Sequence, residues 1–336
     1  MNVHALQENG PHSCATCARA DCHLSFISRQ IEPVAERTAY VLDEIWPEYR
    51  DFVGKQARAD DQLLAPGLGL SRYGWPGAQK RALWATGLRH LSMRRVVRAR
   101  GGVRQAAYAQ ADERLAGIFG RSLDYRARHV VVYQTFLPYL WRDGWLGGRS
   151  FDVLMTRYPL AELHARLDTA QGTAQSRSLS DYRAPDVLVA AETEALAAAR
   201  RIITPHHDIA EHFIDRALWL DWHRPVSKPP REGTRTAFLG PVIARQGADV
   251  ARTWAKKLDK PLIVFGTDLE GPDFWQDAPI ERRAFTANWL DDIGTILHPA
   301  VVTHQPRRLI EARAHGVEIL AHASCGLAPG QFTPLL

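Results

Sequence analysis

Residues 234–266, TRTAFLGPVIARQGADVARTWAKKLDKPLIVFG, decide the fold predicted for this chain. The apolar run TRTAFLG ends in a glycine-bounded turn, ADVARTWAKKL follows at helical spacing, and KPLIVFG is a second apolar run. A strand, a helix and a strand of these lengths form a βαβ unit, whose parallel strands are joined by a right-handed crossover. The stretch therefore predicts a parallel α/β sheet in the last third of the chain.

The alternation of strands and helices continues towards the C-terminus. In order, we predict a loop and short helix in AFTANWLDDIGTIL, a strand in PAVVTH, a helix in PRRLIEARAHG with Gly316 as its C-cap, and a strand in VEILAHAS. Ligands bind at the carboxyl ends of the strands in such sheets. The loops predicted to form a site are 240–247, 266–272, 303–307 and 322–327.

The first half of the chain shows a less regular pattern. Apolar residues at helical spacing predict a helix over residues 31–58, and a glycine- and proline-rich run predicts a strand followed by a loop over 63–77. Residues 78–120 read as helical and basic. Further strands are predicted at 129–136, 150–159 and 201–205, and helices at 160–170, 186–200 and from His206 onward.

The length of 336 residues exceeds the usual length of one domain and predicts two. The alternation of strands and helices predicts that the protein is of the α/β class. Residues 221–234 contain three prolines and form the best candidate linker. We predict a cysteine-bearing segment at 1–30, a helix-rich α/β domain at 31–220 on the acceptor side, and a Rossmann-like domain at 235–336 on the donor side.

The overall composition, 46% hydrophobic and 24% charged, is that of an ordinary globular protein. The sequence has no apolar run long enough to span a membrane, and its first residues lack the basic and apolar regions of a signal peptide. A cytoplasmic location is the resulting expectation. Cysteines in that compartment serve as thiols or metal ligands more often than as disulfides.

The net charge of +5 is mild, and the densest basic patch lies in a predicted helix. Its members are Arg94, Arg95, Arg98, Arg100 and Arg104. The patch is consistent with a solvated helix face, with peripheral contact to anionic membrane lipids, or with a phosphorylated substrate. No aromatic residues are interleaved with it, so we predict no nucleic-acid partner.

The segment GPVIARQG, residues 240–247, resembles the G-R-L-x-x-x-K-G motif of retaining GT-B glycosyltransferases. In that family the basic pair and the following helix hold the diphosphate of a nucleotide-sugar. Gly240 and Gly247 match, whereas Pro241 and Gln246 replace the Arg and the Lys. The resemblance makes the neighbouring Arg245 the candidate diphosphate contact; a plain strand-to-helix turn is the alternative.

The segment PRRLIEARAHGVEILA, residues 306–321, resembles the family motif E-A-x-A-x-G-x-P-V-I-A. The resemblance places Glu311 where the family binds the nucleotide ribose. A second family Glu, eight residues earlier, is Thr303 here, and His304, Gln305 and Arg307 are candidates to replace its hydrogen bonds. The alternative for Glu311 is an ordinary surface residue of a helix.

Three candidate catalytic residues also depend on the resemblance. LMTRY, residues 154–158, aligns with a family strand ending in V-T-x-H, so that Tyr158 takes the histidine position beside Arg157. His206 follows the predicted strand 201–205, where the N-terminal domain of the family reaches its cleft. A helix-capping or solvated role is the alternative for His206.

Cysteines near the N-terminus show the spacing C-x2-C-x4-C-H, formed by Cys14, Cys17 and Cys22. Closely spaced thiols are typical of zinc and iron–sulfur sites. Cys325 is the fourth cysteine of the chain, and all four are predicted to hold one metal or cluster. Local completion of the site by a histidine, or a tail with incidental thiols, is the alternative.

The leading hypothesis is a glycosyltransferase with a GT-B-like pair of Rossmann-like domains, the N-terminal one trimmed and helix-rich. It would transfer a sugar from a nucleotide-sugar donor to a polysaccharide or metabolite acceptor, and the resemblance implies no catalytic metal. The alternative is a GT-B-like scaffold with a four-cysteine metal or iron–sulfur site, acting as a redox or regulatory binding module.

Overall fold

The structure of the protein is a computed structural model. It describes residues 37–67, 73–81, 85–89, 91, 101–173, 176–180, 183–226, 233–271 and 273–335. The chain forms two compact units. The first contains residues up to Leu160, Ala184–Thr204 and Phe213–Leu218, and the second contains Ala161–Arg183, Pro205–His212 and Trp219–Leu336.

The described strands form one sheet in each unit. In chain order they are Arg37–Val41 (β1), Gln62–Pro66 (β2), Gln79–Arg81 (β3), Ala127–Tyr133 (β4), Ser150–Leu154 (β5), Arg201–Thr204 (β6), Ala217–Trp219 (β7), Arg235–Leu239 (β8), Leu262–Phe265 (β9), Ile280–Arg283 (β10), Ile293–His298 (β11), Glu318–Ala321 (β12) and Thr333–Pro334 (β13).

Helices connect most of these strands. They are Pro47–Gln56 (α1), Gly101–Ser122 (α2), Leu137–Arg142 (α3), Leu160–Thr173 (α4), Arg177–Ser180 (α5), Asp186–Ala198 (α6), His207–His212 (α7), Ala248–Ala255 (α8) and Arg307–Ala314 (α9). Residues 85–89 are also helical. Among the described residues, no helix is long and apolar enough to cross a membrane.

The sheet of the first unit has the order β3-β2-β1-β4-β5-β6-β7, and the pairs from β3 to β6 are parallel. Its central strands carry near-continuous apolar runs, such as Val130–Tyr133 of β4, and these side chains are buried. Parallel strands covered on both faces show this pattern, because neither face meets water.

The structure corrects the sequence prediction at the start of this unit. Residues 31–58 are predicted as one helix, yet β1 lies at Arg37–Val41 and the helix α1 begins only at Pro47. Pro47 occupies the first helical turn, where a missing backbone N–H costs nothing. β1 pairs with β2 and β4, so partners distant in sequence override the local helical spacing.

The sheet of the second unit has the order β10-β9-β8-β11-β12-β13, with every pair parallel. The chain runs outward from β8 through β9 to β10, then returns to β11 beside β8 and runs the other way. Two Rossmann-like α/β units in one chain confirm the predicted fold class, and the point where the strand order reverses lies between β8 and β11.

Two predictions within the second unit are wrong. The strand assigned to PAVVTH is a loop, because the preceding β11 at Ile293–His298 occupies the place beside β8. The segment IGTIL, assigned to a loop and short helix, supplies most of that strand. The sequence also does not predict β10, because the residues IERR show little alternation of apolar and polar side chains and carry three charges.

Candidate functional site

The loops that follow β8 and β11 enclose a cavity of about 330 Å³ in the second unit. Its walls come from residues 239, 240, 245 and 246 on one side and from His298 and residues 302–309 on the other. Adjacent strands whose connections leave in opposite directions open a crevice at their carboxyl ends, which is where open α/β sheets bind ligands. The cavity therefore lies at the position that the topology favours for a ligand.

The loop after β8 depends on two glycines for its path. A Cβ on Gly240 would lie 2.3 Å from the carbonyl oxygen of Phe265, and one on Gly247 would lie 2.1 Å from that of Pro299. Gly247 also has a φ of 75°, which L side chains rarely adopt. Close backbone packing thus accounts for both glycines, and the loop they permit is what brings Arg245 to the cavity.

Backbone bonds hold this loop in place. The N–H of Val301 donates to the carbonyl of Arg245 at 3.0 Å, so the loop after β8 is joined to the loop after β11. The N–H of Ala244 donates to the carboxylate of Glu270 at 2.7 Å, and the hydroxyl groups of Ser176 and Ser178 donate to the same carboxylate. The position of Arg245 is therefore fixed from two sides.

The loop after β11 is organised around Thr303. This buried threonine shares a hydrogen bond between its Oγ1 and the Nε2 of His298 at 2.7 Å, and its N–H donates to the carbonyl of Ser324 at 3.2 Å. Its own carbonyl lies 2.8 Å from the Nε2 of His206. A loop anchored through both its side chain and its backbone presents its neighbours to the cavity in a defined arrangement.

The tautomer of His206 follows from its partners. The N–H of Ile209 can only donate, so the Nδ1 atom that it contacts at 3.3 Å must accept. Nε2 then carries the proton and donates it to the Thr303 carbonyl. Burial lowers the pKa of His206 to about 4, so the ring is neutral and both of its nitrogens are occupied. This arrangement gives His206 a part in supporting the loop, and its catalytic role stays a prediction.

Three cationic side chains surround the cavity: Arg245, Arg307 and Arg308. Arg307 lies over the ring of Trp222 with 5.0 Å between the guanidinium carbon and the ring centroid, and Arg308 packs over Phe285 at 3.3 Å. Stacking on an aromatic ring orients a guanidinium without neutralising its charge. The cavity is thus electropositive, and its other polar lining includes Gln246, His304 and Gln305.

His298 forms the polar floor beside Thr303 and is buried. Burial lowers its pKa to about 4, and the neighbouring His322 acts in the same direction. The ring is consequently neutral at neutral pH. It serves as a hydrogen-bonding group for Thr303 rather than as an additional cation.

The structure brings together several of the residues predicted from the sequence. Gly240, Arg245, Thr303 and Arg307 all line the cavity, and Gly247 begins the helix that follows. Glu311 is half-buried on α9 and is not part of the lining, so its contact with a ribose stays a prediction. Sequence reasoning did not single out Arg308, which lies three residues before Glu311, or His298, which is the last residue of β11.

Arg157 and Tyr158 belong to the first unit, in the loop after β5. The Nη2 of Arg157 donates to the carboxylate of the buried Glu192 at 2.7 Å, and the N–H of Arg157 donates to the amide oxygen of Gln134 at 3.0 Å. Tyr158 is almost fully buried. These contacts give both residues a part in shaping the loop, and their catalytic roles stay predictions.

The four-cysteine centre gains no support. Cys14, Cys17 and Cys22 lie outside the described residues. Within the described part of the chain, no group of three or more His, Cys, Asp or Glu side chains is arranged to hold a metal ion. Cys325 is buried, and burial raises the pKa of its thiol to about 11, which favours the protonated form. The arginine side chains of the 94–104 patch also lie outside the described part.

No family model and no curated protein matches the sequence. The chain is similar in structure to the apo form of the lipopolysaccharide outer core galactosyltransferase WaaB, with 10% identity, a TM-score of 0.45, and coverage of 89% of this chain and 84% of that one.

Two further solved structures are similar at a comparable level. Anabaena Alr3699/HepE in complex with UDP and glucose has 10% identity, a TM-score of 0.43, and coverage of 85% and 80%. The calicheamicin glycosyltransferase CalG4 has 15% identity, a TM-score of 0.35, and coverage of 88% and 82%. The order of the parallel strands in its two sheets defines the fold of this chain.

Proposed function

We propose that the second unit binds a nucleotide-sugar through its diphosphate, and that the protein is a glycosyltransferase acting on a polysaccharide or metabolite acceptor. The observation that carries the proposal is the 330 Å³ cavity between the loops after β8 and β11, with Arg245, Arg307 and Arg308 on its walls. A cavity of this size is at the lower end of the range for small-molecule sites.

A diphosphate suits this cavity because its charge is matched from several directions. Arginine side chains donate paired, charge-assisted hydrogen bonds to phosphate oxygens. The first turn of α9, from Pro306 to Leu309, also lines the cavity, and the unpaired N–H groups of a helix N-terminus favour an anion.

The same groups supply what sugar transfer needs. Negative charge develops on the diphosphate as its bond to the sugar breaks, and cations fixed in advance stabilise that charge more than they stabilise the intact donor. Arg245 is held by the bond from Val301 to its carbonyl, and Arg307 and Arg308 are held by aromatic rings. Charges held in place in advance need little reorganisation when the diphosphate leaves.

The neighbourhood of Thr303 is the proposed place for the sugar. Thr303 forms hydrogen bonds with His298 and His206, and His304 and Gln305 line the cavity beside it. Sugar hydroxyls require donors and acceptors of this kind. Gln305 and His304 therefore replace, in this proposal, the carboxylate that the GT-B resemblance leads one to expect at position 303.

The direct test is calorimetric titration of the purified protein with UDP, GDP and their glucose and galactose conjugates. The proposal requires binding of at least one nucleoside diphosphate at millimolar concentration or below, together with slow release of free nucleotide from the corresponding sugar conjugate. Absence of binding by every nucleotide in the series would refute it. Glu311→Ala then tests the ribose contact. If Glu311 binds a ribose hydroxyl, the variant should lose about 1–3 kcal/mol of binding free energy.

A further inference from the structure

A second basic cavity lies in the first unit, at the opposite edge of its sheet from the carboxyl ends of the strands. It has a volume of about 260 Å³. Because β2, β1, β4, β5 and β6 are parallel neighbours, the residues at their amino ends are brought side by side. The arginines that line the cavity are Arg37, Arg58, Arg128, Arg200 and Arg201.

A buried carboxylate organises two of these arginines. Asp152, on β5, is fully buried and accepts from Arg200 at 2.9 Å through both Nε and Nη2, in a forked arrangement. Arg201 donates to the same carboxylate at 2.6 Å, and the Nε2 of His129 lies 3.2 Å away. These partners hold the pKa of Asp152 well below its usual range, so the carboxylate stays ionised.

One carboxylate cannot neutralise two guanidinium groups. The side chains of Arg200 and Arg201 are 54% and 40% exposed, and their Nη1 groups have no partner among the residues that the structure describes. Asp152 therefore holds both guanidinium groups in place, while their Nη1 donors are directed away from it. Fixed forks lose less conformational entropy when they bind an anion.

The acidic residue on the wall of the cavity is already engaged in hydrogen bonds. Asp61 accepts the backbone N–H of Thr38 at 2.9 Å and that of Arg58 at 2.8 Å. It thereby shapes the turn that carries the exposed Arg58, whose guanidinium forms no hydrogen bond or ion pair with a residue in the described part of the chain. Arg37 is paired with Asp124 at 3.2 Å, and the five lining arginines still outnumber Asp61, Asp152 and Asp124, which leaves the cavity with an excess of positive charge.

A buried phenol adds a neutral donor. Tyr40, on β1, is 3% exposed and lines the cavity, and its hydroxyl has no hydrogen-bond partner among the described residues. Burial and the nearby Asp61 raise its pKa to about 12, so the hydroxyl retains its proton. A phenol in this position is available to donate to a ligand oxygen.

We propose that this cavity binds a phosphate or diphosphate group, held by the forks of Arg200 and Arg201 and by Arg58, with the Tyr40 hydroxyl as a further donor. The volume lies below the usual range for drug-sized ligands, which favours a small compact anion over a whole nucleotide. The group is either a free phosphate compound or the headgroup of a phospholipid, since both present the same oxygens.

The test is titration of the full-length protein with inorganic phosphate and pyrophosphate at constant ionic strength, and with phosphatidylcholine vesicles that contain or lack phosphatidic acid. Arg58→Gln and Tyr40→Phe should each weaken binding several-fold, and the double variant should weaken it by about tenfold or more. Arg50→Gln is the matched control, because Arg50 is an exposed arginine of the same unit outside the cavity.

Each outcome decides the proposal. Binding of pyrophosphate or phosphate, lost in the double variant and kept in Arg50→Gln, supports a site for a soluble anion. Binding only to the vesicles with phosphatidic acid, with the same dependence on the variants, supports a headgroup site. No binding in any titration, or equal binding by the double variant and the control, overturns it. The second unit is unchanged in all variants, so nucleotide binding there is an independent measurement.

Discussion

The backbone N–H of Val301 donates to the carbonyl oxygen of Arg245 at 3.0 Å, and this bond joins the loops that leave the two central strands of the second sheet. Because the bond uses only backbone atoms, it survives replacement of the Arg245 side chain. The charge at the cavity can therefore be removed while the loop that carries it stays in place.

Arg245→Gln should weaken the binding of a nucleoside diphosphate by about 10- to 100-fold, since a hydrogen bond to a charged group contributes about 1.5–3 kcal/mol. The measurement is calorimetric titration at fixed ionic strength. Lys257→Gln removes the same charge from an exposed position outside the cavity and is the control. Equal losses in the two variants would show a general electrostatic effect and not a contact at the diphosphate.

Gly247→Ala should destabilise the second unit by about 1–3 kcal/mol and also reduce nucleotide binding. The added methyl group meets the carbonyl oxygen of Pro299, and the φ of 75° is itself unfavourable for alanine. Gly330→Ala is the control in the same unit, because Gly330 has a φ of 78° but nothing within 4 Å of an added Cβ. Denaturant unfolding of both variants separates steric overlap from backbone strain; similar losses would mean that the overlap is relieved.

The free energy of unfolding should depend on the protonation of His298. Its pKa is lowered from 6.5 to about 4 in the folded protein. Above pH 6.5 both states are neutral and stability is unaffected, whereas between about pH 6.5 and 4 the unfolded chain takes up a proton that the folded protein refuses. As the pH falls through that window, His298 should therefore lower the free energy of unfolding by roughly 1.4 kcal/mol per pH unit.

The check is urea unfolding at pH 7 and pH 5 for the wild type and His298→Gln, in which glutamine can still hydrogen-bond Thr303. The variant should lose less stability than the wild type between the two pH values. His206 has the same direction of pKa shift and remains in both proteins, so part of the pH dependence persists. An identical pH dependence would exclude His298 as a contributor.

Arg89→Ala should destabilise the first unit by about 3–5 kcal/mol. Arg89 is buried and donates to both oxygens of Asp43 at 2.7 and 3.0 Å, and its Nη2 lies 3.0 Å from Asp112. Its removal leaves two carboxylates without their cation. Arg126→Ala removes the more exposed pair with Asp124 and should cost much less, because solvent screens an exposed ion pair. Thermal unfolding compares the two, and similar losses would contradict this account.

The strands and helices of the second unit were largely predictable because their signals are local. A helix such as α9 is read from its apolar spacing and from Gly316, whose φ of 80° ends it as expected of a C-cap glycine. The alternation of these elements then implied a parallel sheet and directed attention to the loops 240–247 and 303–307, which do line the cavity.

The elements that were predicted wrongly are those for which the local sequence fits more than one secondary structure. β1 consists of RTAYV, five residues within a longer helical pattern, and it becomes a strand through pairing with β2 and β4. The strand β11 begins six residues before the predicted PAVVTH, and both segments are apolar enough to form a strand. Only the place beside β8 decides between them, since a sheet selects register through its neighbours.

The sequence by itself determined the α/β class, the βαβ order of the second unit and the loops at which a ligand would bind, because periodicity and glycine positions are properties of short segments. Only the tertiary structure decided which side chains of those loops meet. The burial of Leu309, Ile310 and Ala312 sets the rotation of α9, which places Arg307 and Arg308 on the cavity wall and leaves Glu311 outside it. Side-chain direction on a helix depends on what the helix packs against, and that information lies far away in the sequence.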